Sequence, residues 1–262
     1  MRKTIKVLPL SIVFVAMITL NNLCLQYVGV SFYYVGRSLT TVFNVICTWI
    51  ILSEKTSFAA IFCCGIIISG FLLGVDQEKA SGSLSVFGVI CGVLASLFVA
   101  LYAIYVKKKL PVVDQSIWDL TLLNNINASI LFVPLFLLSN EPESIANFAY
   151  LDSPNFWTFM FVSGFLGFIM GYVTGWQIQA TSPLTHNISG TAKAAAQTVL
   201  GVVYFMESKT LLWWLSNGVV LVGSGLYTKV RFSEMKNKHN EEKAKSSETS
   251  SINSRTTSTT VL

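Results

Sequence analysis

Long apolar runs constrain the fold of this chain more than any other feature of its sequence. Short polar breaks separate eight such runs, which cover residues 7–26, 30–52, 57–75, 84–106, 116–138, 155–178, 185–205 and 210–230. Each run is close to the length of about 20 residues that an α-helix needs to cross a bilayer. None of them alternates strictly between apolar and polar residues, as a membrane β-strand does. The sequence therefore predicts an all-α polytopic membrane protein with eight transmembrane helices.

The overall composition supports the same class of protein. Hydrophobic residues make up 53% of the 262 residues and charged residues only 12%, whereas a soluble domain has roughly 25% charged residues. All five cysteines lie inside apolar runs without the spacing of a metal site, so we expect them to be small packing residues. The pattern indicates no cofactor and no nucleic-acid partner. The lipid bilayer is the first expected partner, and a homo-oligomer is left open.

The charges between the runs predict the orientation of the chain. Eight spans place both termini on one side, and that side carries fourteen lysines and arginines in its loops and tail against two, Lys79 and Lys209, on the other. Loops rich in cations stay in the cytosol. We therefore expect both termini to be cytosolic. After Val230 the sequence becomes rich in Ser, Thr, Lys and Glu, and such a composition predicts a disordered cytosolic tail over 232–262.

Two hairpins in the sequence resemble each other. The second and third runs, and likewise the seventh and eighth, place a cation early in the first run, a turn of Glu, Lys, Ser and Thr, and a Gly-rich second run. The turn residues Glu54 and Glu207 are 153 positions apart, and the cations Arg37 and Lys193 are 156 apart. The predicted orientation inserts the two hairpins in opposite senses. This pattern is typical of an inverted repeat, in which the substrate site lies near the bilayer midplane.

Arg37 and Lys193 are the two cations inside predicted spans. They lie roughly 10 Å and 12 Å from the nearer end of their spans, at the helical rise per residue. A charge at that depth costs on the order of 2.5–3.5 kcal/mol, and no acidic residue lies in the interior of a span to offset it. We expect the two cations to bind an anionic ligand. The alternatives are pairing with backbone carbonyl groups and snorkelling to the headgroups.

Carboxamide side chains are a second group of candidates. Asn124 and Asn125 lie in the fifth run, and an amide presents a donor and an acceptor that suit the edge of a nucleobase. Hydrogen bonding between helices is the equal alternative for them. The seventh run is the least apolar, with polar residues from Thr185 through Lys193, so one face of it is expected to line water or substrate. His186 has no carboxylate beside it, which argues against a membrane-embedded enzyme.

Glycines recur at the spacing that lets two helices approach closely. They are Gly70 and Gly74, Gly88 and Gly92, and Gly164, Gly167, Gly171 and Gly175. Close approach of backbones in the membrane is the expected use of such pairs. We therefore predict helix contacts at all three sets.

Several strings together resemble a known family. They include "YYVGRSLTTVFNV", "NNINASILFVPL", "GFIMGYVTGWQI" and "TSPLTHNISGTAKAAAQT", and from about residue 7 to 235 the chain resembles the Golgi GDP-fucose transporters, in the nucleotide-sugar group of the drug/metabolite transporter superfamily. The resemblance implies exchange of cytosolic GDP-fucose for lumenal GMP across the Golgi membrane. It implies that Arg37 and the lysine of Gly190-Thr191-Ala192-Lys193 contact phosphate and that Asn124 and Asn125 lie near guanine. His186 and Asn187 are further candidates for the binding site, because they belong to the polar stretch of the seventh run.

Two departures from the family pattern accompany this resemblance. The family motif associated with guanine has two aromatic residues where this chain has Leu122 and Leu123, which keeps another nucleotide sugar or a phosphorylated metabolite open as the substrate. Family members have ten helices in two halves of five, and this chain matches from the third helix onward. The resemblance thus divides the chain into a partial N-terminal repeat of three helices, 1–75, a complete five-helix repeat, 84–231, and the tail. A fragment, an isoform and a non-transporting short form are left open.

Overall fold

The computed structural model describes the backbone of residues 2–28, 33, 36–52, 56–80, 82, 85–114, 116–139, 141–180, 183–206 and 208–259. The side chains of residues 2, 52, 107, 141, 144, 146, 171, 172, 174–192, 194, 238 and 239 and of residues beyond 240 lie outside this description. The described elements are helices: α1 (Arg2–Tyr27), α2 (Leu39–Leu52), α3 (Phe58–Ala80), α4 (Val86–Lys109), a 3₁₀ turn (Leu110–Val113), α5 (Ile117–Leu138), α6 (Glu141–Ala146), α7 (Pro154–Ala180), α8 (Pro183–Tyr204) and α9 (Leu211–Thr259).

These helices match the predicted spans in order, and the prediction of a helical polytopic protein is confirmed. Among the described residues, four helical segments are long and apolar enough to cross a membrane: Lys3–Tyr27, Phe58–Ala80, Val86–Val106 and Ile117–Leu138. Shorter apolar segments, Leu39–Ile51, Pro154–Met170 and Ala195–Tyr204, lie in the second, sixth and seventh predicted spans. The derivation from a ten-helix fold stays a prediction.

Two boundaries differ from the sequence prediction. The backbone at Ser38 is a turn, so the continuous helix of the second span begins after Arg37, at Leu39. The last helix continues through Thr259, whereas the composition of 232–262 predicted disorder. Lys, Glu and Ala have high helix propensity and can extend a helix that has already been nucleated. The division of the chain into 1–75, 84–231 and 232–262 stays a prediction.

Small residues let α1 and α4 pack closely along their lengths. A Cβ atom at Gly88 would lie 2.5 Å from Val28 Cγ2 and 2.9 Å from Tyr27 Cβ. A Cβ at Gly92 would lie 2.9 Å from the Cys24 sulfur. Two of the predicted packing glycines are therefore at a helix interface, where a side chain would not fit without movement.

The pair of α3 and α9 shows the same arrangement. A Cβ at Gly70 of α3 would lie 3.0 Å from the Val220 backbone nitrogen, and a Cβ at Gly223 of α9 would lie 3.2 Å from the backbone nitrogen of Ile67. At the end predicted to face the lumen, Lys209 forms a buried ion pair with Glu78. The Thr210 hydroxyl also donates to Gln77 Oε1 at 2.9 Å. Apolar contact along the helices and polar contact at this end together join α3 to α9, the second helices of the two hairpins that resemble each other in sequence.

Helix α7 differs from the other predicted spans in its packing. Most of its described side chains are exposed, and nothing in the described part of the protein lies within 4 Å of a Cβ at Gly164 or Gly167. The predicted close contact at these two glycines is therefore wrong within the described residues. Their spacing is compatible with helix packing, but spacing alone does not supply a neighbouring helix. The side chains around 171 and 175 lie outside the description.

Candidate functional site

A small pocket contains the first of the two predicted cations. It lies where the residues just before α2 pass α1, α3 and α4. Its walls are formed by Asn21, Cys24, Tyr33, Gly36, Arg37, Phe71, Val89, Gly92, Val93 and Ser96. Most of the walls are apolar, and the polar groups gather near Arg37. This combination is typical of a ligand pocket, in which a few polar groups orient what the apolar walls surround.

A chain of hydrogen bonds reaches Arg37 from α1. Asn21 Nδ2 donates to the Met17 carbonyl oxygen at 2.8 Å, which leaves Asn21 Oδ1 to accept from the Tyr33 hydroxyl at 2.8 Å. The Tyr33 oxygen in turn accepts from an Arg37 terminal nitrogen at 3.1 Å. Tyr33 and Arg37 are four residues apart, the spacing at which helical side chains meet. One edge of the guanidinium is therefore held by a neutral partner.

The backbone beside Arg37 is held by α4. The Ser96 hydroxyl, which is buried, donates to the Gly36 carbonyl oxygen at 3.3 Å. A Cβ at Gly36 would make ordinary contact with Phe71 at 3.7 Å. The backbone next to Arg37 is thus hydrogen-bonded to α4 and lies beside Phe71 of α3.

The volume of the pocket sets a limit on what it holds in this conformation. It is about 10 Å³, which is about the space that one water molecule requires. A nucleotide is many times larger. A ligand of that size would enter only if the surrounding helices moved apart.

The second predicted cation is on α8. Lys193 is exposed, and its helix begins at Pro183. The side chains of His186, Asn187 and Thr191, and the surroundings of Gly190, lie outside the described part of the structure. For these four residues, and for the pairing of Lys193 with Arg37 around one ligand, the sequence prediction stays a prediction.

The two asparagines of α5 have different environments. Asn124 is 1% exposed, and its Oδ1 accepts from the Ser11 hydroxyl of α1 at 3.0 Å. Asn127, one turn further along, is buried on the same side and donates to the Thr4 carbonyl oxygen at 3.1 Å. Asn125 is exposed. The geometry at Asn124 is that of the interhelical alternative, while Asn125 has an accessible side chain.

Sequence reasoning did not single out Tyr33 or Ser96. Tyr33 had a signal that could have found it, namely a phenol one helical turn before a cation in an apolar run. Ser96 had no such signal, because its contact is with a carbonyl group 60 residues away in sequence. Within the described residues, no group of three His, Cys, Asp or Glu side chains is placed to hold a metal ion.

Comparison with known proteins places the chain in a family. The sequence profile of the Triose-phosphate Transporter family matches residues 1–228. The chain belongs to the triose-phosphate transporter family. This is a family of polytopic membrane transporters and not of enzymes, so the sequence-based exclusion of an enzyme is confirmed by the family.

Relatives in this family carry informative names. The chain is 64% identical over 234 residues to a GDP-fucose transporter of Caenorhabditis elegans, covering 89% of this chain and 64% of the relative. It is 58% identical over 246 residues to GDP-fucose transporter 1 of Mus musculus, covering 94% and 68%. It is 50% identical over 234 residues to a "GDP-fucose transporter, Golgi" of Drosophila melanogaster, covering 89% and 69%. The chain thus spans about two thirds of the length of these curated relatives. The resemblance seen in the sequence is confirmed.

Proposed function

We propose that this chain carries GDP-fucose from the cytosol into the Golgi lumen in exchange for GMP. The relatives named above support the substrate and the organelle. The observation that carries the proposal is the position of Arg37, a cation within an apolar span at a pocket between helices. An arginine in such a place suits a diphosphate, because its planar group can donate two parallel hydrogen bonds to phosphate oxygens.

The proposed roles of the residues follow their environments. Arg37 and Lys193 bind the phosphates from the two inverted hairpins, with Gly190 and Thr191 beside Lys193. Asn125 reads the guanine edge from α5, and Asn124 holds that helix against α1 through Ser11. His186 and Asn187 complete the site from the start of α8. Both termini face the cytosol.

A second candidate substrate class is another nucleotide sugar or a phosphorylated metabolite. The name of the family supports this candidate, because it refers to triose phosphate, a phosphorylated metabolite. It is favoured further by Leu122 and Leu123, since leucine side chains do not stack on a base as aromatic side chains do. Both candidates require the same two cations, so the choice between them depends on the recognition of the base.

Exchange in reconstituted vesicles tests the proposal. Vesicles containing the purified chain and loaded with GMP should take up labelled GDP-fucose, and should take up GDP-mannose and UDP-sugars more slowly. We expect Arg37→Ala and Lys193→Ala each to lower uptake by at least tenfold, because each removes a charge-assisted contact with phosphate. Lys79→Ala removes an exposed cation outside the proposed site and is the matched control. Uptake unchanged in both variants would contradict the phosphate assignment, and preference for another sugar nucleotide would support the second candidate.

A further inference from the structure

Arg37 has five N–H donors, and how many of them are available to a ligand depends on its neighbours. The described hydrogen bond uses one terminal nitrogen, which donates to the Tyr33 oxygen at 3.1 Å. The phenol is neutral, so it holds the guanidinium in place without cancelling its charge. A carboxylate in the same position would hold the group more strongly but would compete with a phosphate for it.

The orientation of the phenol is itself determined by α1. A hydroxyl has one hydrogen to donate, and that of Tyr33 is directed to Asn21 Oδ1 at 2.8 Å. The Asn21 carboxamide cannot reverse without loss of the bond from its Nδ2 to the Met17 carbonyl. The Tyr33 oxygen therefore meets Arg37 as an acceptor and not as a donor. Each of the three hydrogen bonds from Met17 to Arg37 thus has a fixed donor and a fixed acceptor.

We infer that Tyr33 is a positioning residue that presents the Arg37 guanidinium to an anionic ligand in the pocket, with Asn21 as its support. This inference rests on the proposed function for the identity of the ligand, a nucleoside diphosphate sugar. These contacts predict that the arginine side chain becomes free to move when the phenol oxygen is removed. Ligand binding must then immobilise that side chain, at a cost in conformational entropy. Affinity for phosphate-bearing ligands falls, while the charge of the site is unchanged.

Chemical labelling of the full chain tests the inference without a transport assay. An arginine-selective dicarbonyl reagent is applied to wild type and to Tyr33→Phe, and the modification rate of each arginine is followed by mass spectrometry. We expect Arg37 to be modified several times faster in Tyr33→Phe. Arg231, which is paired with Glu234 at 3.1 Å, is the internal control and keeps its rate if the variant is folded. An unchanged rate at Arg37 overturns the inference.

A second variant covers the case in which Tyr33→Phe fails to fold. Asn21→Ala keeps the phenol but removes its acceptor, and it should raise the Arg37 rate in the same direction by a smaller factor. Tyr102→Phe makes the same chemical change at a tyrosine packed on Phe14, away from the pocket, and should leave the Arg37 rate as in wild type. A rise in Tyr102→Phe equal to that in Tyr33→Phe overturns the inference.

Ligand competition connects this positioning role to function. In the exchange assay, Tyr33→Phe should raise the KM for GDP-fucose by about tenfold with little change in kcat, and weaken inhibition by GMP but not by guanosine. In an Arg37→Ala background the same substitution should add nothing, because it acts through that arginine. If Tyr33→Phe weakens inhibition by GMP and inhibition by guanosine equally, the inference is overturned. Faster Arg37 labelling together with no exchange by the wild-type chain contradicts the proposed function alone.

Discussion

At the scale of single residues, neighbouring positions with the same side chain have different surroundings. Asn124 and Asn125 are adjacent in sequence and about 100° apart around α5. Asn124 is buried against α1 and accepts from Ser11, and Asn125 is exposed. The sequence indicated that both were candidates for base recognition or for helix contact. It could not separate the two roles, because the choice depends on which face of α5 meets α1.

Substitution of the two asparagines should separate stability from selectivity. We expect Asn124→Ala to lower the free energy of unfolding by about 0.6–1.7 kcal/mol, the range for hydrogen bonds between membrane helices, with the substrate preference retained. Asn125→Ala should keep the thermal unfolding midpoint of wild type and lose preference for GDP-fucose over UDP-sugars. The measurements are thermal unfolding in detergent and competitive uptake. The opposite pattern, with selectivity lost at 124 and stability lost at 125, would show that the assignment is reversed.

At the scale of helices, glycine spacing was a useful but incomplete predictor. Gly70 of α3 and Gly88 and Gly92 of α4 are at interfaces where a Cβ would lie within 3 Å of a neighbour, whereas Gly164 and Gly167 of α7 face open space within the described structure. A pattern of small residues indicates only that another helix can approach closely. Whether a helix does approach is decided by the packing of the whole bundle. The predicted span at 30–52 has a similar limit, since apolar composition did not show the turn at Ser38.

Alanine substitution should distinguish the two kinds of glycine. Gly88→Ala places a Cβ 2.5 Å from Val28 and 3.2 Å from the Tyr27 backbone, so α1 and α4 must separate. We expect a loss of about 1–3 kcal/mol in the free energy of unfolding, as for overpacked cores. Gly164→Ala is the matched control and should be neutral or slightly stabilising, because alanine has the higher helix propensity. Thermal unfolding of the two variants in the same detergent makes the comparison; equal melting temperatures would contradict the close packing at Gly88.

At the scale of the whole molecule, orientation follows from the loop charges. Lysines and arginines of short loops are retained on the cytosolic side during insertion. In this chain Lys107, Lys108 and Lys109 follow the fourth predicted span, on the same side as the N-terminus. The 139–153 segment, which carries α6, is on the opposite side and has acidic residues but no lysine or arginine.

Thiol labelling in sealed, cytosol-side-out vesicles tests this orientation. The native cysteines are buried, so we expect a low background with a membrane-impermeant maleimide. A cysteine introduced at Ser233 should react at once, and a cysteine at Asp152 should react only after permeabilisation. Lys108→Cys is a second cytosolic position and should behave as Ser233→Cys does. Labelling of Asp152→Cys in intact vesicles, with protection of the other two, would mean that the chain is inserted in the reverse sense.

The sequence by itself determined the class of the protein, the order of its helices, its predicted sidedness and the two cations that the membrane makes costly. These properties depend on local composition and on the transfer of side chains into lipid, which each segment experiences on its own. Only the tertiary structure decided that Tyr33 and Asn21 hold Arg37, that Asn124 is buried on α1, and that, within the part of the chain that is described, Gly88 rather than Gly164 is at an interface. Those contacts join residues from different helices, and side-chain packing between helices, not local sequence, decides which of them meet.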